Sequence, residues 1–192
     1  MTKLERALTY AIQAHHGMVR KREKIPYILH PLEVVTILAG LTCDEDVLCA
    51  AVLHDTVEDT DTTIEEIEAL FGHRVRELVQ SETENKRVDL PRAQTWHVRK
   101  QESLDFLEKT EDIDVKKLWL ADKLANMRSL HRLWRRDGNM MWKGFNQENP
   151  VQQAWYYRSV AELVSELSDT DAWKEYKYLV DIIFEGVGNG QS

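Results

Sequence analysis

The feature that most constrains this chain is an apolar run that leads directly into four titratable side chains. Residues 47–53 are apolar on every face of a helix, which is typical of a buried central helix. The positions that follow include His54, Asp55, Glu58 and Asp59. Burying a polar or charged group without a partner costs several kcal/mol. The fold must therefore bring partners to these groups from other segments of the chain.

Helical periodicity runs through nearly the whole sequence, and no segment shows the alternation of a β-strand. We therefore expect an all-α fold, a single compact bundle of about 8–10 helices. No repeat, low-complexity segment or Gly/Ser linker marks a boundary. Residues 1–185 are accordingly expected to form one domain, followed by a flexible tail at 186–192.

Capping residues place the first helices. Thr2 with Glu5 is a candidate capping box, and Gly17 stands where that helix would stop. Pro31 suits the first turn of a second helix that reaches Gly40, and Thr42 with Glu45 is expected to cap the third. A short helix with Ile64, Ile67 and Phe71 on one stripe is predicted to end at Gly72. Further helices are predicted over about 73–82, 93–109, 112–136, 150–168 and 171–185, with a polar loop at 83–92.

Composition limits the function classes. The formal charge of −8 argues against a general nucleic-acid or anionic-membrane surface. No apolar run approaches the roughly 20 residues of a membrane span. Cys43 and Cys49 lack CxxC spacing, and the chain has no signal-peptide pattern, so we expect reduced thiols and a cytoplasmic protein.

A second unusual carboxylate lies in the helix predicted at 112–136. Asp122 falls in the middle of an apolar stripe, where it would usually pair with a buried Arg or Lys. Together with His54 and Asp55, however, it offers three ligands for a divalent cation, which would remove the cost of burying all of them. His30, just before a helix start in "PYILHP", is a candidate fourth ligand, although a lone histidine there is more often a cap or a surface residue.

Four segments together resemble a known family. "HHGMVRK…PYILHP", "AAVLHDTVEDT", "FGHRVRELV" and "WLADKLANMRSL" occur in the order and spacing of the hydrolase domain of RelA/SpoT-type alarmone enzymes. They are still more similar to the stand-alone HD-domain small alarmone hydrolases, which include the metazoan SpoT homologue. The resemblance extends over about residues 5–136 and, more weakly, through the helix that contains "WYYRSVAELV".

The resemblance implies a metal site and a catalytic pair. His30, His54, Asp55 and Asp122 match the family's ligands for Mn²⁺, and such a mixed imidazole and carboxylate set could also hold Zn²⁺ or Fe²⁺. Glu58 and Asp59 match the family's ED pair beside the metal. One of the pair would orient or deprotonate water and the other would hold it, and the sequence leaves the two assignments open.

The resemblance also implies substrate contacts. Arg20 and Lys21 match the family's phosphate-binding pair, within a basic loop whose alternative role is solubility. This loop departs from the family in having Met18 for the usual glutamine and one additional residue, which bears on base or sugar selectivity. Asn126 and Tyr156 match further contacts of the family, with core packing as the alternative for Tyr156. Lys86, Arg99 and Lys100 are candidate phosphate contacts because they follow or border the loop at 83–92, with a solvated side chain as the alternative for the lysines.

The resemblance implies a Mn²⁺-dependent hydrolase that converts guanosine 3′-diphosphate 5′-di- or triphosphate to GDP or GTP and pyrophosphate. With 192 residues, no length is expected for the synthetase of the larger relatives. Two alternatives stay open, a phosphatase of another nucleotide such as NADPH and a non-catalytic nucleotide sensor. The expected partner is a small guanine nucleotide, not nucleic acid or membrane, and the sequence is compatible with a homo-oligomer.

Overall fold

The computed structural model describes residues 1–20, 22–85, 87 and 89–188. Within those ranges the chain forms ten α-helices and two short 3₁₀ helices, and no strand. The all-α prediction is confirmed. The chain divides into two compact units, residues 1–83 with 112–125, and residues 84–111 with 126–192. The expectation of one domain over 1–185 stays a prediction.

The first unit is built around its third helix. Its helices are α1 (Lys3–Ala14), α2 (Leu29–Leu38), α3 (Glu45–Leu53), α4 (Thr56–Asp59), α5 (Ile64–Phe71) and α6 (His73–Glu82). Helix α3 packs against α1, α2 and α6. Val47 and residues 49–53 are fully buried, as the apolar run predicts. The end of α3 therefore delivers His54 into the interior of this unit.

The helix starts follow capping chemistry, with one correction. Thr2 and Glu5 form the predicted capping box at α1. At α3, however, Asp44 is the N-cap, and its carboxylate accepts from the backbone N–H groups of Asp46 and Val47. The expectation that Thr42 caps this helix is wrong, because Thr42 Oγ1 accepts from the Asp44 N–H at 3.1 Å and so lies outside the helix. Asp44 is closer to the first turn and carries the stronger acceptor.

The segment between α1 and α2 is a folded turn. Gly17 has φ +74°, a conformation that favours glycine, and it follows the end of α1 as predicted. Val19 and Pro26 form an isolated antiparallel bridge, and the Tyr27 N–H donates to the Met18 carbonyl at 2.9 Å. These contacts close the basic loop and fix the chain direction into α2.

The second unit contains the remaining helices. They are α7 (Arg92–Lys109), the part of α8 (Ile113–Asp137) from Asn126 onward, α9 (Pro150–Leu163) and α10 (Asp171–Ile183), with 3₁₀ helices at Gly138–Trp142 and Ser165–Leu167. Helix α9 packs against α7 and α10. The predicted helix 150–168 ends at Leu163 instead, because Val164 leaves the helical conformation (φ −102°, ψ +19°). None of the described helices has the length and apolar character needed to cross a membrane.

Candidate metal centre and active site

The four predicted ligands come from three separate places in the first unit. His30 is on the first turn of α2, His54 and Asp55 join α3 to α4, and Asp122 is in α8. His54 and Asp55 keep right-handed helical dihedrals (φ/ψ −55/−38° and −90/−7°), so the helical twist continues across the junction. The structure thus brings together side chains that are up to 92 positions apart in the sequence (122 − 30).

The ligand atoms converge on one small region. His30 Nε2 lies 3.0 Å from Asp122 Oδ1 and 3.6 Å from Asp55 Oδ2. His54 Nε2 lies 3.2 Å from the same Asp55 oxygen and 3.6 Å from the same Asp122 oxygen. Ligand atoms of His30, His54 and Asp122 all lie within 4.8 Å of one another. Two imidazole nitrogens and two carboxylate oxygens therefore face each other around a common centre.

The chemistry of this cluster fits a divalent cation. His54 Nδ1 lies 2.8 Å from the Ala51 carbonyl, a contact that fixes the ring and directs Nε2 to the cluster. His54 Nε2 is buried and makes no hydrogen bond within the described part of the chain. An inward-facing imidazole nitrogen without a hydrogen bond, surrounded by carboxylate oxygens, is the arrangement that a metal ion satisfies.

The charges of the cluster are strongly coupled. Burial acts to lower the pKa of His54, but the carboxylates of Asp55 and Asp122 outweigh it and hold that pKa well above its usual value. Burial likewise acts to raise the pKa of Asp122, and Lys123 with the two histidines drives it well below the usual value. Burial also acts to raise the pKa of Asp55, but the imidazoles of His54 and His30 outweigh it and lower that pKa. Without a metal, the site therefore favours ionised Asp55 and Asp122 next to a protonated His54.

A buried ion-pair network supports Asp122 from its other side. Lys123 donates to Asp122 Oδ2 and to Glu82 Oε2, the latter at 3.1 Å, and its ammonium lies 4.5 Å from the centre of the Trp119 ring. Burial raises the pKa of Glu82 to about 7, with Lys123 acting in the opposite direction. Sequence reasoning missed Glu82, and its only sequence signal is an acidic residue at the end of an amphipathic helix.

Tyr27 is a second residue that the sequence did not single out. Its hydroxyl lies 2.7 Å from Asp55 Oδ2 and 2.7 Å from Asp59 Oδ2. Burial, together with these two carboxylates, raises the pKa of Tyr27 far above its usual value, so the phenol stays neutral. The available signal was its position in "PYILHP", three residues before His30.

The predicted catalytic pair lies on the short helix α4. Glu58 and Asp59 are both partly buried, and the Asp59 N–H donates to the Asp55 carbonyl at 2.9 Å. Because residues four apart share a helix face, Asp59 follows Asp55 on one side of the chain. The hydroxyl of Tyr27 links the two side chains directly.

Of the two predicted phosphate-binding residues in the basic loop, the structure describes Arg20. Arg20 is partly buried, with its Nε 3.9 Å from Glu23 Oε2. Its backbone carbonyl accepts from the Lys24 N–H at 2.7 Å, within the closed turn. Lys21 lies outside the described residues.

The other predicted substrate contacts belong to the second unit or fall outside the description. Lys100 donates to Glu84 Oε1 at 2.6 Å, and its ammonium lies 4.6 Å from the centre of the Tyr156 ring. The structure thus brings Lys100 and Tyr156 together, with Tyr156 only 2% exposed. Asn126 is partly buried, four residues after Asp122 on α8. Lys86 lies outside the described residues.

Comparison with known proteins identifies related chains. The model of the HD-domain family matches residues 7–144, a range that contains all four candidate ligands. The GTP pyrophosphokinase rsh of Brucella ovis is 40% identical over 127 residues, which are 66% of this chain but 17% of the Brucella protein. The chain therefore spans a small part of such long relatives.

Two further relatives match over nearly their whole length. The guanosine-3′,5′-bis(diphosphate) 3′-pyrophosphohydrolase MESH1 of Xenopus tropicalis is 38% identical over 175 residues, covering 89% of this chain and 88% of that protein. A solved structure, described as a metazoan ortholog of SpoT that hydrolyzes ppGpp, superposes with a TM-score of 0.73 at 31% identity. That match covers 98% of this chain and 97% of the other.

Proposed function

The chain belongs to the HD-domain family, and on that premise we propose that it is a metal-dependent hydrolase of guanosine 3′-diphosphate 5′-di- or triphosphate. The products are pyrophosphate and GDP or GTP. One observation carries the proposal, namely that four ligand atoms of His30, His54, Asp55 and Asp122 converge in a buried site. The similarity to MESH1 over 88% of that relative's length supports the same reaction.

The proposed cofactor is Mn²⁺, held by the two histidines and the two aspartates. Mixed nitrogen and oxygen ligands suit this ion and leave positions for water and phosphate. When bound, such an ion acidifies water and offsets the charge that develops on the phosphoryl group. Imidazole binds a metal through a nitrogen that carries no proton, so His54 must release the proton that its carboxylate neighbours favour.

The chain's own residues then perform the remaining steps. One member of the Glu58 and Asp59 pair accepts a proton from the attacking water while the other orients that water. The water oxygen forms a bond to the phosphorus attached to the ribose O3′. The bond between that phosphorus and O3′ breaks, O3′ takes up a proton, and the water oxygen leaves as part of pyrophosphate.

Substrate binding is assigned to basic and polar side chains. Arg20 and Lys21 hold phosphate groups, and an arginine can bind two phosphate oxygens at once. Asn126, Lys86, Lys100 and Tyr156 are the further proposed contacts. The positive charge that attracts the substrate's phosphates is confined to these residues, because the chain as a whole carries a formal charge of −8.

The test is a comparison of two substrates with metal-loaded protein. We expect pyrophosphate and GDP from guanosine 3′,5′-bis(diphosphate), and no inorganic phosphate from NADPH. Asp55→Ala should abolish turnover and metal binding, whereas the control His73→Ala, at an exposed histidine, should not. If NADPH releases inorganic phosphate and the guanine nucleotide releases no pyrophosphate, the substrate is NADPH and the proposed substrate is wrong. If the nucleotide binds and no product forms, the protein is a sensor.

A further inference from the structure

The Tyr27 hydroxyl lies between a candidate metal ligand and the catalytic pair. It is 2.7 Å from Asp55 Oδ2 and 2.7 Å from Asp59 Oδ2. The same Asp55 oxygen is the one that faces His54 Nε2 at 3.2 Å and His30 Nε2 at 3.6 Å. Tyr27 therefore contacts the atom through which Asp55 would bind a cation.

The phenol ring is held in place from several sides. It stacks on the buried His15 ring with a centroid separation of 4.8 Å and meets the His30 ring edge-on at 6.3 Å. The backbone N–H of Tyr27 donates to the Met18 carbonyl, and the backbone carbonyl of Tyr27 accepts from the His30 N–H, each at 2.9 Å. The hydroxyl is thus fixed by the turn that begins α2 and not by the two carboxylates alone.

A phenol has one proton to donate, and here two carboxylates compete for it. A cation held by Asp55 would draw electron density from its carboxylate, which would then accept a hydrogen bond less strongly. The proton of Tyr27 would accordingly be donated to Asp59. A hydrogen bond to an ionised carboxylate stabilises its charged form and fixes its orientation.

From this geometry we infer that Tyr27 is a positioning residue that connects the metal ligand Asp55 to Asp59 and holds Asp59 in place. The inference rests on the proposed function, since it concerns the same site. Because the donated hydrogen bond holds the Asp59 carboxylate in a fixed orientation, Asp59 is the member of the pair that orients water. Glu58 is then the member that accepts the proton.

The decisive variant is Tyr27→Phe, which removes the hydroxyl and keeps the ring that stacks on His15. Calorimetric titration with Mn²⁺ and no nucleotide should show an affinity roughly tenfold lower, the usual size for a residue that supports a metal ligand. At saturating Mn²⁺, kcat for guanosine 3′,5′-bis(diphosphate) should fall by roughly ten- to a hundredfold, with KM nearly unchanged. Tyr178→Phe, at a tyrosine that is 62% exposed, is the matched control and should alter neither quantity.

Unchanged Mn²⁺ affinity and kcat in Tyr27→Phe would overturn the inference, and so would a higher KM with unchanged kcat.

A second pair of variants tests the division of roles between Glu58 and Asp59. Glu58→Gln should lose more kcat than Asp59→Asn, because the asparagine carbonyl can still accept from Tyr27; the reverse order contradicts the assignment. If the wild-type protein releases no pyrophosphate, the proposed function fails, while the Mn²⁺ titrations still decide whether Tyr27 supports Asp55.

Discussion

The ammonium group of Lys123 lies 3.1 Å from Glu82 Oε2 in the interior of the first unit, where their side chains are 10% and 3% exposed. The same ammonium donates to Asp122 Oδ2. Asp122 Oδ1 remains directed at the histidines, 3.0 Å from His30 Nε2. The two oxygens of Asp122 therefore have different partners. Oδ2 is paired with the Lys123 ammonium, and Oδ1 faces the histidines of the candidate metal site.

Replacement of this lysine by an apolar residue should destabilise the metal-free protein strongly. In Lys123→Met the carboxylates of Asp122 and Glu82 lose the cation between them, and breaking a buried pair costs about 3–5 kcal/mol. Urea unfolding in the presence of a chelator at pH 8 measures the effect. The control Lys177→Met removes an exposed pair with Asp181, for which a loss below about 0.5 kcal/mol is expected. Equal losses in the two variants would show that the buried network contributes no more than a surface pair.

The raised pKa of Glu82 makes stability depend on pH with a definite sign. The pKa is about 7 in the folded chain against a usual value of 4.5, mainly because of burial. The unfolded chain therefore loses this proton first, so the contribution to stability is complete below pH 4.5 and is lost as the pH rises to about 7.

Comparison with Glu82→Gln isolates this contribution. Between pH 4.5 and about 7 the wild type should lose about 3 kcal/mol of unfolding free energy relative to the variant. Urea unfolding of metal-free protein at several pH values gives the difference, and Glu65→Gln on the exposed face of α5 should show none. If the wild type gains unfolding free energy relative to Glu82→Gln over this pH range, the raised pKa of Glu82 is contradicted.

The sequence was sufficient for the helices because local patterns determine them. The apolar run at 47–53, the Thr2 capping box and the stop at Gly17 all depend on neighbours within one or two turns. The end of α9 at Leu163 was not predictable in this way, since residues 150–168 continue to read as helical. Intrinsic propensity is a weak guide to such boundaries, because tertiary context routinely overrides it.

The candidate site was predictable only where the family resemblance named its residues. His30, His54, Asp55 and Asp122 have no local signal that links them, yet their ligand atoms converge. Glu82 and Tyr27 were missed because their contacts join positions 41 and 28 residues apart, to Lys123 and Asp55. A single sequence carries no information on which helix faces meet at such distances.

Metal binding should release a proton because of the charge state of His54. The carboxylates of Asp55 and Asp122 overcome burial and hold its pKa well above the usual value, so the metal-free site keeps the imidazole protonated at neutral pH. A metal requires the neutral form, so apparent Mn²⁺ affinity should rise with pH by about tenfold per unit for one released proton. Calorimetric titrations in two buffers of different ionisation enthalpy measure the release, and an enthalpy independent of buffer would show that His54 is already neutral.

The corrected start of α3 gives a comparison of two neighbouring residues. Asp44 accepts from the N–H groups of Asp46 and Val47 at 2.8 and 3.4 Å, whereas Thr42 accepts from the Asp44 N–H at 3.1 Å. Loss of an N-cap acceptor typically costs about 1 kcal/mol, so Asp44→Ala should lower the free energy of unfolding by about that amount. Thr42→Ala should cost less than about half as much, because it leaves the first-turn donors of α3 paired. Urea unfolding of both variants at one pH decides between them, and a larger loss in Thr42→Ala would restore Thr42 as the residue that starts the central helix.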